Sequence, residues 1–198
     1  MKKKLFSLSL VICCIALVAF SGTMAYFTAD STADNVVTTG KIDIDLREVT
    51  LEVDPQSGQP MPFEDVDGIM PSQAVDKIVT VHNINNAAPA FVRVSVATNI
   101  TLAPKYAASQ DVADNSLVTA DFNTTDWTYL DGYWYYNQVL DKQSASEPLF
   151  TKVTFSEDMG NIYQGATVTI DIVAEAVQVK NNPGQTALTA QGWPEIQE

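Results

Sequence analysis

The run from Ala166 to Val179 places Val168, Ile170, Ile172, Ala174 and Ala176 on one side of the chain, with Thr167, Thr169, Asp171 and Glu175 on the other. An apolar period of two held this long points to an extended strand with one buried face. Gly40 opens a second such run, in which Ile42, Ile44 and Leu46 oppose Lys41, Asp43 and Asp45. Past Arg47 the apolar set changes parity to Val49, Leu51 and Val53, which predicts a kink near Arg47 or Glu48. Val75 to His82 has the same β character. Phe91 to Ile100 sets Val92, Val94, Val96 and Ile100 inward and Arg93 and Ser95 outward, and Leu149, Thr151, Val153 and Phe155 mark a further strand.

Between these runs the punctuation is equally specific. Asp131-Gly132 separates Trp127–Leu130 from Tyr133–Tyr136, and Asp-Gly supplies the two positive-φ positions of a tight hairpin turn. Asn83 to Pro89 reads as a turn. Pro55, Pro60, Pro62 and Pro71, with Gly58 and Gly68, make residues 54–72 a long connecting loop. Residues 102–122 are the one place for an irregular helix. Seven or so short strands with almost no helical pattern give an all-β fold, a two-sheet antiparallel β-sandwich. No internal repeat is apparent, which argues against a solenoid or blade array.

The amino-terminal segment has a different logic. Lys2, Lys3 and Lys4 precede an apolar and serine-containing run from Leu5 to Phe20, and Thr23-Met24-Ala25 presents small residues three and one positions before Tyr26. A basic start, an apolar stretch and a small-x-small exit form a secretory signal, with cleavage expected between Ala25 and Tyr26. An uncleaved membrane anchor is the rival reading, since a span needs about 20 mostly apolar residues. Membrane association is otherwise expected only before cleavage. Cys13 and Cys14 lie inside the apolar run without a lipobox. The expected organisation is a signal peptide over 1–25, an arm over 26–39 and a β-sandwich over 40–198.

Removing the signal leaves 173 residues without cysteine, so the exported body is expected to hold together by packing alone. It carries 8 basic against 24 acidic residues, a balance of −16. That charge argues against nucleic acid as a partner, because a polyanion calls for a basic face.

The stretch Gly22-Thr23-Met24-Ala25-Tyr26-Phe27, with Asn35 and Gly40 following, resembles the SipW-type signal of the camelysin/TasA-like family of exported biofilm-matrix proteins. Met70-Pro71, Lys77 to Val81 and Asn83 to Val94 look like the central motif of that family, with Ser72 standing where the motif usually has Gly. Ala174 to Gln178 resembles its last strand. The resemblance implies a jelly-roll topology, processing by a SipW-type signal peptidase, secretion to the matrix or surface of a bacterium, and self-assembly into fibres beside other matrix proteins.

Catalytic chemistry has little to stand on. The sole histidine, His82, cannot by itself supply the two or three ligands of a zinc protease or complete a serine triad, so the metalloprotease reading attached to the camelysin label is disfavoured. No catalytic residue, metal site or cofactor is expected. Asp43 and Asp45, or Glu64, Asp65 and Asp67, admit a calcium reading, but a solvated acidic face accounts for them better. Trp127, Tyr129, Tyr133, Trp134, Tyr135 and Tyr136 suggest either cross-strand packing or a ring platform for a ligand, which leaves a monomeric surface-binding or adhesion module as the alternative function.

The arm from Tyr26 to Thr39 is mostly Thr, Ser, Ala and Asp, with Tyr26, Phe27, Val36 and Val37 as its large apolar residues. Four such side chains do not offset the backbone entropy of ordering the whole arm. The expectation is a donor strand that stays mobile until the next subunit supplies a ladder of main-chain hydrogen bonds, linking copies head to tail.

Overall fold

The alternating segments form strands that pack as two sheets. The computed structural model describes residues 27–38, 42–84, 87–107 and 111–194, the first of these ranges as backbone. One sheet is built from β1 (Phe27–Thr38), β4 (Val66–Ile69), β6 (Ala90–Thr101), β8 (Trp127–Leu130), β9 (Tyr133–Tyr136) and β11 (Thr167–Gln178), in the order β4-β1-β11-β6-β9-β8. The other holds β2 (Ile44–Val53), β3 (Pro60–Pro62), β5 (Ala74–Asn83), β7 (Val118–Ala120) and β10 (Phe150–Phe155), in the order β3-β2-β5-β10-β7. The chain crosses between sheets at most connections, so the core is assembled from residues far apart in sequence. Every described pairing is antiparallel except β1 with β11, which is parallel.

The alternation read from the sequence sets the core. Val168, Ile170, Ile172, Ala174 and Ala176 of β11 are all buried, facing Ile44 and Leu46 of β2, Val79 and Val81 of β5, and Phe150, Val153 and Phe155 of β10 across the sandwich. At the hairpin, Asp131 and Gly132 take φ of 50° and 86°, and Leu130 pairs with Tyr133, the geometry that Asp-Gly favours. The irregular stretch contains one helical turn at Pro104–Ala107 and a short 3-10 segment at Asn115–Leu117.

Several local expectations are corrected. No kink occurs at Arg47 or Glu48: β2 and β5 stay in register from Ile44 opposite Asn83 to Val49 opposite Ile78. Parity is kept because Glu48 takes the inward position and Lys77 donates a hydrogen bond to its carboxylate, with both side chains buried. Lys77 also lies over the ring of Phe63, 4.0 Å from its centre. Residues 54–72 are not purely a connection, since β3 pairs with β2 and β4 with β1. The prolines are tolerated because β3 is an edge strand. Thr151 is exposed, since the β10 register shifts between Phe150 and Lys152. Arg93 is buried on the outer face of its sheet, where its Nε donates to Glu175 Oε2 at 2.5 Å and its guanidinium lies 3.8 Å from the Tyr133 ring. Ser72 has a φ of 66° after Pro71, and Gln73 N donates to Met70 O at 3.1 Å, the arrangement of a turn that favours Gly at this position.

The buried Glu48–Lys77 pair gives a direct test of the energetics. Burial lowers the Lys77 pKa while the Glu48 carboxylate opposes that shift. Lys77→Met alone is expected to cost about 3–5 kcal/mol because it strands a buried carboxylate, whereas Glu48→Leu combined with Lys77→Met restores stability to the parent level or above. Urea unfolding of the three proteins checks this, and an equal loss in the single and double variants contradicts it.

Candidate functional site

β1 fills a slot between β4 and β11. Its backbone pairs in parallel with β11, from Thr28 opposite Thr167 to Thr38 opposite Ala176, with a register shift between Thr32 and Asn35. On its other side Phe27 stands opposite Ile69 and Ala29 opposite Val66 of β4. β1 is therefore the strand that joins β4 to the rest of its sheet, and it covers one edge of β11 along most of that strand's length. The main chain supplies this contact, and a main-chain ladder tolerates the Thr, Ser and Asp composition of residues 28–34.

The backbone of 27–38 is thus a strand, not the weakly structured arm expected from composition. Four apolar side chains would not order it, but β11 of the same chain offers a ready ladder. Among the residues singled out in the sequence, Phe27, Val36 and Val37 lie on this strand, the latter two opposite Ala174 and Glu175. Thr23, Ala25 and Tyr26 lie outside the described residues. Sequence reasoning singled this segment out as an arm but missed its partners within the chain. β11 was legible as a strand without any sign of which edge β1 takes, and β4 was hidden in a loop rich in Pro and Gly.

The other candidates are dispersed. His82 sits on β5 opposite Asp45, with Nε2 3.0 Å from Thr80 Oγ1. Burial lowers its pKa and the nearby Arg47 charge lowers it further, with Asp45 opposing. Asp45 accepts a hydrogen bond from Arg47 Nε at 2.7 Å and forms an exposed ion pair. Among the described residues, no three His, Cys, Asp or Glu side chains are grouped to hold a metal ion. Glu64, Asp65 and Asp67 line a surface groove between β2, β3 and β4.

The aromatic hairpin is used mostly for packing. Trp127 and Tyr136 are buried, with Trp127 Nε1 donating to Glu147 O at 3.1 Å, while Trp134 stacks on Phe122 with ring centres 4.4 Å apart. Tyr133 and Tyr135 face the other side, where the tail brings Trp193 to the Tyr135 ring at 5.8 Å. Of the six rings only Tyr129 is largely exposed, and the strand alternation divides the set between two faces.

Comparison of the chain with protein-family models, with curated proteins and with solved structures finds no match.

The environment of His82 fixes the sign of a pH effect. The unfolded imidazole takes up its proton at a higher pH than the folded one, so this contribution to stability is complete above the unfolded value of about 6.5 and declines as pH falls through it toward the lowered folded value. An NMR titration is expected to place the His82 midpoint below 6.5, and His82→Gln to remove the corresponding part of the acid slope. A midpoint at or above 6.5 contradicts the burial argument.

Proposed function

We propose that this chain is an exported, non-enzymatic structural subunit of bacterial matrix fibres, of the camelysin/TasA-like kind, in which β1 of one copy occupies the slot of the next. The jelly-roll topology, the cleavage after Ala25 by a SipW-type peptidase and the extracellular location belong to the same reading. The observation that carries it is the position of β1. It is the first strand, it follows the signal-like segment directly, and it is inserted between β11 and β4 through main-chain pairing. An identical strand from a neighbouring copy meets the same register and the same slot. Exchange between copies is heterologous, so it propagates as a filament and does not close on itself. The acidic balance of the chain adds repulsion between free subunits, which opposes association by any less specific route.

Deleting Tyr26 to Ala33 is expected to abolish fibres while circular dichroism retains the β-sandwich signal. A synthetic peptide of residues 26–39 is expected to bind the truncated protein and to slow assembly of the parent by capping its slot. The secreted protein is expected to show an intact mass beginning at Tyr26. Fibres of unchanged diameter from the truncated protein contradict the exchange, and recovery of a full-length membrane-bound chain as the major species contradicts the processing.

A further inference from the structure

Beyond Val49, β2 outruns its pairing with β5 and continues with β3 as a two-stranded ribbon at the margin of the sandwich. This ribbon carries the apolar set that the parity change creates. Leu51 and Val53 are 65 % and 53 % exposed, and Met61 on β3 is 38 % exposed. Large apolar side chains grouped on an ordered strand mark a contact surface.

The same ribbon borders a groove of about 410 Å3, with Phe63, Val66 and Val75 among its apolar walls. Glu52, Glu64, Asp65, Asp67 and Asp76 also line it. Among the described residues, two cations stand close to these five carboxylates, Lys77 buried against Glu48 and Lys152 at 3.9 Å from Asp76. Pro60 and Pro62 remove two main-chain donors from β3, which disfavours addition of a further strand there and leaves recognition to side chains.

We propose that this groove docks a basic, apolar segment of a partner protein, one in which Lys or Arg side chains alternate with aliphatic ones. Aliphatic groups cover Leu51 and Met61 while the cations meet the carboxylates of Glu52, Glu64 and Asp67. A second copy of this chain is a poor occupant. The chain carries −13, and its one run of basic residues, Lys2 to Lys4, belongs to the segment read as an export signal. A bare metal ion fits less well, because no three of the acidic groups among the described residues are grouped for coordination. The proposal concerns a different surface from the β1 slot and does not rest on fibre assembly.

The probe is the peptide acetyl-Lys-Leu-Lys-Val-Lys-Leu-amide, with calorimetric titration as the readout. Exchanging its Lys for Gln, or its Leu and Val for Ser, is expected to abolish binding. Glu52→Gln/Glu64→Gln/Asp67→Asn is expected to weaken binding by about tenfold, and Leu51→Ser/Met61→Ser by a similar factor. All five residues are exposed, so folding is retained. The control Asp141→Asn/Glu147→Gln/Glu157→Gln removes the same charge elsewhere and is expected to change affinity less than twofold. Absence of binding, an equal loss in the control, or calcium uptake by the groove without peptide binding overturns the proposal.

Discussion

β11 carries two main-chain ladders at once, an antiparallel one with β6 along its whole length and a parallel one with β1 along most of it. Its inward side chains are among the most buried in the molecule, so this strand ties together both the core and the sheet. The two ladders differ in what secures them. β6 is also fixed through Val92 and Val94 in the core and through Arg93 on the outer face. β1 follows a stretch that reads as an export signal, and its sequence has few large apolar groups. The pairing with β1 is therefore the one that the proposed assembly would exchange for the identical strand of another copy.

The charged residues inside the sheets show how the alternation is enforced. Glu48 occupies a core-facing position because Lys77 on the neighbouring strand meets it, and Arg93 with Glu175 forms the equivalent cross-strand pair on the outer face. A buried pair adds little net stability over a well-packed apolar pair, but losing one partner is costly. Each pair thus favours a single register. The tail completes the outer pair, since Trp193 lies 4.7 Å from the Arg93 guanidinium and Ala187 and Ala190 pack with Phe91 and Val177.

Elements with strong local patterns were legible from the sequence. β11, β5, β6 and the Asp-Gly hairpin each announce themselves through alternation or turn chemistry within a short window. β1, β3 and β4 do not. They are strands because of a partner brought from elsewhere in the chain, and a ladder formed at long range leaves no local periodicity. Val49, Leu51 and Val53 misled for the opposite reason: their alternation is real, but Lys77 makes the inward position of Glu48 tolerable, so the apolar set faces out. Of the site, only the segment of β1 stood out, from its place after a signal-like segment. The slot did not, because it is made by β11 and β4, which only the fold brings to the two sides of β1.

Exchange of β1 has a covalent test, because the chain has two cysteines, both in the apolar amino-terminal run. Asp30 and Thr169 are register partners across the β1–β11 ladder, so Asp30→Cys/Thr169→Cys places a thiol on each side of the slot. Oxidation of the isolated monomer is expected to give an intramolecular disulfide and a protein that assembles only after reduction. Oxidation after assembly is expected to link successive chains, seen as a ladder of multimers on a non-reducing gel. Fibres whose disulfides are all intramolecular would contradict the exchange of β1 between copies.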